Sequence, residues 1–207
     1  MKLNQKMITQ LETFLTLLEQ TTYPEPPTEG IGRSMKQVIA HIQSKFPGAF
    51  QGRILDIGCG QGQAIEIFAE MGLQTTGITL NNDDLEICRQ KKFDVRYMDM
   101  SFLEFEDEEF DFIWCRHCIE HSFMPFFTLF GFYRVLKKGG FAYVEVPAPD
   151  TEVGHQTNKN HFSVLGKSMW SELIIRSGFF GENIDLDIKT LGGQKDIYWG
   201  FIIRKPE

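Results

Sequence analysis

Long apolar runs, cysteine and proline are all scarce in this sequence of 207 residues. No stretch reaches the roughly 18 apolar residues that a membrane-spanning helix needs, so no membrane span is predicted. The amino-terminal sequence MKLNQKMITQ lacks the apolar run of a secretory signal. The 4 cysteines are too sparse for a disulfide framework and indicate reduced thiols, which favours a cytoplasmic protein.

Positive charge is also in short supply, with 21 basic against 28 acidic residues and a net charge of −7. A negatively charged surface repels phosphate backbones, so no nucleic-acid partner is expected. The rest of the composition, 42% hydrophobic and 24% charged, is that of an ordinary globular protein and excludes collagen-like, coiled-coil and disordered chains.

The first part of the chain has a helical pattern. Apolar residues at helical spacing predict a helix over residues 3–20, and the proline-rich stretch 24–30 predicts a linker. Ser34 is predicted to cap a second helix, which ends at Pro47-Gly48. We expect residues 1–47 to form a helical cap on a single domain whose core spans residues 48–207.

Strands and helices alternate from Arg53 onward. Because helix-length segments connect most of the strands, a largely parallel sheet with helices on both faces is predicted. The last two strands are joined only by a turn at Gly192-Gly193 and should pair antiparallel at one edge. Strands are predicted near residues 53–57, 73–80, 94–98, 110–115, 141–146, 182–190 and 196–204, with a turn at 137–140 and helices over 63–71, 83–92, 124–136 and 168–177.

A glycine-rich loop follows the first strand, with the sequence Asp56-Ile57-Gly58-Cys59-Gly60-Gln61-Gly62. Glycines allow sharp turns and the close approach of a ligand to the backbone. Ligands of open parallel sheets bind beyond the carboxyl ends of the strands, where this loop lies. The G-x-G-x-G spacing differs from the G-x-G-x-x-G of dinucleotide-binding enzymes. A tight turn without a ligand is the alternative interpretation.

The segment ILDIGCGQGQ resembles motif I of the class I S-adenosylmethionine-dependent methyltransferases. Later motifs of that family are resembled, in the same order, by YMDM, FEDEEFDFIWCRHCIEH, YRVLKKGGFAYVEVP and HFSVLGKSMWSELIIRSGF, over about residues 50–180. The sequence is most similar to the ubiquinone-biosynthesis-type and other "type 11" small-molecule methyltransferases. The resemblance implies an α/β, Rossmann-like fold: seven mostly parallel strands in the order 3-2-1-4-5-7-6, with one antiparallel edge strand. It also implies S-adenosyl-L-methionine as the cofactor and a small-molecule acceptor methylated on oxygen, nitrogen or carbon.

The family's binding residues carry over to matching positions of this sequence. Asp56 would meet the amino group of the cofactor, and the carboxylate of Asp99 would accept from its adenine. A capping role in the local backbone is the alternative for both. The residues that the resemblance assigns to the cofactor are Asp56, Gly58, Cys59, Gly60, Gly62, Gln63, Thr79, Leu80, Asn81, Asp99, Met100, Arg116 and His117.

One position departs from the family pattern. Thr79 stands where most members carry an acid that binds both ribose hydroxyls, although the phosphoethanolamine-methyltransferase group also has G-[IV]-T-L there. A hydroxyl binds a diol less firmly than a carboxylate does, so Asn81 or the nearby backbone would share that task. The missing acid also counts against a nicotinamide cofactor.

Histidines near the expected acceptor side are candidates for a general base, because imidazole titrates near neutral pH. The candidate catalytic residues are His121, His155 and His161, and a structural, hydrogen-bonded role is the alternative for each. Cys115-x2-Cys118 lacks a convincing partner pair for zinc, although His155-x5-His161 could supply one, and we expect no metal. The long polar loop 148–166 is predicted to recognise the acceptor or to act as a lid.

Three other functions remain open from the sequence. The chain could be a catalytically inactive S-adenosylmethionine-binding regulatory or partner subunit, since the second-strand acid is missing. It could instead methylate a peptide or protein. A Rossmann oxidoreductase is disfavoured by the spacing of the glycines.

Overall fold

The computed structural model describes the backbone of residues 2–189 and 195–207, and the side chains of residues 2–181 and 196–207. Two single-turn 3-10 helices, Ile119–His121 and His155–Thr157, lie in loops that follow strands. The other elements are α1 (Gln5–Glu19), α2 (Glu29–Lys45), β1 (Arg53–Ile57), α3 (Gln63–Glu70), β2 (Gln74–Thr79), α4 (Asn82–Gln90), β3 (Asp94–Tyr97), β4 (Phe110–Arg116), α5 (Pro125–Val135), β5 (Leu136–Pro147), α6 (Lys167–Arg176), β6 (Phe180–Lys189) and β7 (Lys195–Arg204).

The strands form one seven-stranded sheet in the order β3-β2-β1-β4-β5-β7-β6, which confirms the predicted α/β fold. Strands β1 to β5 pair in parallel, and β7 runs antiparallel to both β5 and β6. The reversed strand is therefore second from the edge. The predicted turn at Gly192-Gly193 lies outside the described residues.

Apolar side chains cover both faces of the sheet. Successive residues of a strand point to opposite faces, and β1 follows this rule: Leu55 and Ile57 pack with α5 and α6, whereas Ile54 packs with α2 and α3. The inner strands β1, β4 and β5, unlike the mostly exposed edge strand β3, are thus largely buried on both sides, as is typical of a parallel sheet. This leaves their carboxyl ends as the place where polar groups reach solvent.

Helix α2 begins earlier than predicted. The Thr28 side chain caps it by accepting a hydrogen bond from the Ile31 N–H at 3.2 Å, so the prediction that Ser34 caps this helix is wrong. Ser34 lies inside the helix and accepts a hydrogen bond from Arg116 at 2.8 Å. The predicted turn at residues 137–140 is instead an irregularity within β5, where the register with β4 shifts and Gly139 has a φ of 71°.

The two amino-terminal helices pack differently. Helix α2 buries Val38, Ile39 and Ile42 against the sheet layer, whereas α1 has no buried residue. Helix α1 touches the rest of the chain through Phe14, whose ring lies 4.6 Å from that of Phe123. In the part of the chain that the structure describes, no helix is both long enough and apolar enough to cross a membrane. All four cysteines are buried free thiols.

Candidate functional site

Two adjoining clefts open at the carboxyl ends of β1, β2 and β4. The first cleft has a volume of about 630 Å³ and is lined by Asp56, Trp114 and Arg116 among others. The second cleft, of about 140 Å³, is lined by residues that follow β2 and β3 and by the turn after β4. Gly58 and Gly60 line both clefts. Both clefts lie at the edge of the sheet where the sequence predicts the site.

The glycine loop between β1 and α3 has backbone angles that favour glycine. Gly58 and Gly60 have φ values of 66° and 49°, in the left-handed region. A Cβ at Gly58 would lie 2.4 Å from the Cys118 sulfur. Gly62 is the N-cap of α3 and packs against Phe93, so it supports the conformation of the loop.

Other residues of the loop bind their surroundings. Gln63 lines the first cleft, and its side-chain amide donates to the carbonyl of Thr28 at 2.9 Å. Cys59 is buried, and its thiol points to the carbonyl of Gly60 at 3.6 Å. Both residues therefore stabilise the loop as well as line the cleft.

Asp56 places a buried carboxylate beside the loop. Its Oδ2 atom has no hydrogen-bond partner, and the residue is only 3% exposed. Burial raises the pKa of Asp56 to about 7. A buried carboxylate without a partner is unfavourable, so a cationic ligand in the first cleft would stabilise it.

The residues after β2 and β3 line the second cleft. Thr79, Leu80, Asp99 and Met100 all contribute to its surface. The Thr79 hydroxyl accepts from the Asn81 N–H at 3.1 Å, and Asn81 itself caps α4. Asn81 lines neither cleft. At this position Thr79, and not Asn81, therefore contributes to the surface of the second cleft.

Asp99 caps the local backbone and also lines a cleft. Its Oδ1 accepts from the Ser101 N–H at 2.7 Å, which is a local backbone cap, and the residue also lines the second cleft. Burial raises its pKa, although the hydrogen bonds to Ser101 oppose this effect.

Arg116 and His117, at the end of β4, share a buried acidic partner. The Arg116 Nε lies 2.9 Å from Glu145 Oε1, and His117 Nε2 hydrogen-bonds the same oxygen. Tyr143 donates to the other carboxylate oxygen. Burial alone would raise the pKa of Glu145, but His117 and Arg116 lower it overall, so the carboxylate is ionised. Both predicted residues line the first cleft in fixed positions.

The three candidate histidines are neighbours in space. His121 and His161 have ring centroids 4.8 Å apart, and His155 stacks on His161 at 5.7 Å. His121 Nδ1 bonds the carbonyl of Asn160 at 2.9 Å, and His155 Nε2 bonds Asp196 at 2.9 Å. Of the three, His121 lines the second cleft. Burial lowers the pKa of His121, and burial together with the other histidines lowers that of His161 to about 4.

A strap formed by residues 23–28 crosses the clefts between α1 and α2. The Glu25 N–H donates to Asp84 Oδ2 at 3.2 Å, and the Glu25 carbonyl lies 3.2 Å from the position of a Cβ at Gly60. Burial and the nearby Asp84 raise the pKa of Glu25 to about 7, while Arg116 opposes this. The sequence predicted a linker here but no role at the site.

Comparison with known proteins identifies the domain that carries these clefts. Residues 55–144 match the family described as "Methyltransferase domain", a span that includes the glycine loop, Thr79, Asp99 and His121. Over this span, which is less than half of the chain, the match agrees with the predicted resemblance to the class I S-adenosylmethionine-dependent methyltransferases.

Curated relatives match about half of this chain. It is 30% identical over 117 residues to a ubiquinone biosynthesis O-methyltransferase of Glaesserella parasuis, covering 51% of this chain and 50% of the relative. A protein of the same name from Haemophilus ducreyi is 28% identical over 115 residues, covering 50% and 49%. The chain therefore spans about half the length of the curated relatives it matches.

Solved structures resemble the chain over a longer span. A putative methyltransferase of Bacillus halodurans superposes with a TM-score of 0.63 at 18% identity, over 83% of this chain and 100% of the other. A phosphoethanolamine N-methyltransferase of Haemonchus contortus, in complex with S-adenosyl-L-methionine, gives 0.67 at 20% identity over 83% and 53%. The [4+2]-cyclase SpnF gives 0.69 at 17% identity over 98% and 96%. Identities this low show a shared fold alone.

The residues that line the two clefts fit S-adenosyl-L-methionine. The unpartnered Asp56 carboxylate suits an ammonium group, and the glycines leave the space that a Cβ would fill. Thr79, Asp99 and Met100 line the adjoining second cleft and offer partners for the hydroxyl and amine groups of a ligand. These residues together therefore suit a molecule with a cationic end and a polar heterocyclic end.

Three elements of the site were missed in the sequence. Glu145 lies within the apolar run FAYVEVP. A single acid in such a run indicates a buried carboxylate with a partner, so the sequence does carry a signal for this residue. Asp196 bonds His155 from β7, and no local pattern indicates that pairing. Glu25 reaches the loop only through the course of the strap.

Proposed function

We propose that this chain is an active enzyme that transfers a methyl group from S-adenosyl-L-methionine to a small-molecule acceptor. The observation that carries the proposal is the buried, unpartnered carboxylate of Asp56 beside a loop of left-handed glycines. This combination provides a cationic ligand with both a counter-charge and room to approach the backbone.

The residues of the first cleft bind and orient the cofactor. Asp56 pairs with its ammonium group, and Gly58 and Gly60 let its chain pass close to the backbone. Arg116 and His117 are held in position by Glu145 and define the wall of the cleft. The bound cofactor supplies a methyl group on a positively charged sulfur. Because that charge disperses during the transfer, alignment of the reacting atoms provides much of the rate.

The second cleft takes the adenine and ribose of the cofactor beside Thr79, Asp99 and Met100, and it takes the acceptor beside His121. Most of its exposed wall is apolar, with Leu18, Ile78, Met98, Phe123 and Phe162, and hydroxyl, carboxylate and imidazole groups are interspersed among them. Such a lining is typical of sites for small organic molecules. His121 is the group on this wall best placed to accept a proton from the acceptor, since burial lowers its pKa and keeps it neutral. The names of the curated relatives favour a hydroxyl oxygen as the accepting atom.

A second candidate function is a cofactor-binding protein without methyl transfer. Thr79 in place of the usual acid favours it, as does the match to a protein named as a cyclase on the same fold. The two functions differ in a single measurement, because only the enzyme forms a methylated product.

Further properties follow from the same proposal. We infer that residues 1–47 and 48–207 form one domain, because α2 buries apolar residues against the core. We infer a cytoplasmic location from the buried free thiols and the absence of a nucleic-acid partner from the net charge of −7.

Calorimetric titration with S-adenosyl-L-methionine, S-adenosylhomocysteine and NAD tests cofactor binding. We expect binding of the first two and none of NAD. Incubation with isotope-labelled S-adenosylmethionine and a metabolite extract, followed by mass spectrometry, tests transfer and identifies the acceptor. Cofactor binding without any labelled product from metabolite, peptide or protein fractions would support the non-catalytic function. Tighter binding of NAD would overturn both.

A further inference from the structure

Glu120, His121 and His161 form a compact cluster at the mouth of the second cleft. One potential ligand atom from each lies within 4.8 Å of the others. The cluster joins two separate segments, the turn after β4 and the loop after β5. The N–H groups of Phe162 and Ser163 both donate to the Glu120 carbonyl at 2.9 Å, which ties these segments together. The arrangement is therefore built into the backbone of the loop.

Two atoms of this cluster are buried without a partner. Glu120 is 2% exposed and its Oε2 atom makes no hydrogen bond, and Nδ1 of His161 is in the same condition. Buried polar atoms in native proteins almost always have a partner. Two orphaned atoms in one cluster, of the two kinds that bind metals, point to a missing ligand.

The orientation of His121 makes that ligand a cation. Its Nδ1 faces the carbonyl of Asn160 at 2.9 Å and must donate its proton there, which leaves Nε2 with a free lone pair. A carboxylate oxygen and imidazole lone pairs then converge on one place. A water molecule has only two protons to donate, whereas a divalent cation satisfies all three acceptors together.

We propose that Glu120, His121 and His161 bind a divalent first-row transition-metal ion. Two imidazoles and one carboxylate suit zinc, manganese, iron(II) or cobalt(II), whereas calcium and magnesium prefer oxygen ligands alone. The hydrogen bond from His121 to Asn160 is the kind of outer contact that orients a ligating histidine. Since metal–ligand bonds are about 2.1 Å long, two ligands lie at most about 4.2 Å apart. The half-buried His161 side chain closes the small remaining gap when the ion binds.

Three protein ligands leave coordination positions open. His121 and Asn160 both line the second cleft, so these positions face the space in which an acceptor would bind. Metal binding by the three side chains needs no cofactor. It can therefore be measured apart from methyl transfer. An ion on Nε2 of His121 would replace the proton-accepting role proposed for that side chain and would leave the proposal of methyl transfer standing.

The experiment uses the whole chain, freed of metal with a chelator and then titrated with Co²⁺ alone. We expect one Co²⁺ per chain by equilibrium dialysis and the visible absorption bands of Co²⁺ bound to nitrogen and oxygen ligands. Glu120→Gln and His161→Gln should each weaken binding by more than about tenfold. His41→Gln is the matched control, because His41 is an exposed histidine on α2 and its loss should change nothing.

Circular dichroism and thermal unfolding establish that each variant is folded. Glu120→Gln keeps the shape of a side chain that lacks a partner at Oε2, and if it does not fold, the half-exposed His161→Gln carries the test alone. The proposal is overturned if the wild-type chain binds neither Co²⁺, Zn²⁺ nor Mn²⁺. It is overturned equally if the folded variants bind Co²⁺ as tightly as the wild type, or if a sulfur-to-cobalt charge-transfer band shows that cysteines hold the ion.

Discussion

The glycine loop and the histidine cluster face the same pair of clefts but are built in opposite ways. The loop works through its backbone, since Gly58 and Gly60 adopt left-handed angles and leave space where a side chain would stand. The cluster works through side chains, since Glu120, His121 and His161 bring reactive atoms together. One region selects a ligand by shape and the other by chemistry. Substitutions in the two regions should therefore affect different steps.

The largest expected effect is in the loop. In Gly58→Ala the new Cβ would lie 2.4 Å from the Cys118 sulfur, at a residue whose φ is 66°. The left-handed angle alone costs an alanine about 1–2 kcal/mol, and relief of the contact displaces the loop. We expect the affinity for S-adenosylmethionine to fall by more than about a hundredfold, a loss of about 2.7 kcal/mol, measured by calorimetry.

Gly72→Ala separates backbone strain from the shape of the cleft. Gly72 has a φ of 76°, but a Cβ there meets nothing within 4 Å and the residue lines neither cleft. This control should lower the melting temperature and leave cofactor affinity unchanged. If Gly58→Ala binds the cofactor as well as Gly72→Ala does, the loop is a structural turn and the comparison between the two regions fails.

The next effect lies in the histidine cluster. His121→Gln keeps a polar side chain but removes the imidazole, whether that group accepts a proton or holds an ion. We expect kcat to fall by about a hundredfold, with the cofactor affinity within twofold of wild type. The measurement is steady-state methyl transfer to the identified acceptor, alongside calorimetry. An equal loss in cofactor binding would show that His121 binds the cofactor, and the functional distinction between the glycine loop and the histidine cluster would fail.

The two regions also differ in how far the sequence predicts them. The loop, its flanking strand and helix, and Asp56 are contiguous, so local pattern and spacing were enough to predict the turn and its position. The alternation of strands and helices was predicted for the same reason, because each element is a local feature, whereas the strand order of the sheet came from the resemblance to a known family. The cluster joins Glu120 to His161 through hydrogen bonds between separate segments, and no local pattern reports those contacts.

The error at α2 has a similar cause. Pro26 and Pro27 favour a linker, and Gly30 and Gly32 weaken a helix, so the sequence placed the helix start at Ser34. The burial of Val38, Ile39 and Ile42 anchors the helix from its other end, and Thr28 satisfies its first N–H groups. Tertiary packing therefore overrode the local preference.

A smaller effect is expected at the carboxylate of the first cleft. Asp56→Asn keeps the shape of the side chain and removes its charge, which deletes a charge-assisted contact worth about 1.5–3 kcal/mol. We expect cofactor affinity to fall by about tenfold to a hundredfold. The protein without cofactor should be at least as stable as wild type, because Oδ2 of Asp56 has no partner there. Asp107→Asn, an exposed acid distant from the clefts, is the control for net charge.

The pH dependence of S-adenosylmethionine binding tests the role of the Asp56 carboxylate most finely. Burial raises the pKa of Asp56 to about 7 in the protein without cofactor, whereas pairing with an ammonium group would lower it. The bound form therefore holds fewer protons, and below pH 7 the carboxylate must lose its proton to bind. One proton released means that affinity is constant well above pH 7 and falls by about tenfold per unit below it.

We expect binding at pH 6 to be about tenfold weaker than at pH 8, with proton release visible as a buffer-dependent heat in calorimetry. Glu25 also has a pKa raised to about 7 by burial, so Glu25→Gln must be compared with Asp56→Asn. If Asp56 is the partner of the ammonium group, only Asp56→Asn flattens the profile. A slope that persists in Asp56→Asn and vanishes in Glu25→Gln would assign the counter-charge to Glu25, and cofactor binding would then depend on the strap as well as on the glycines of the loop.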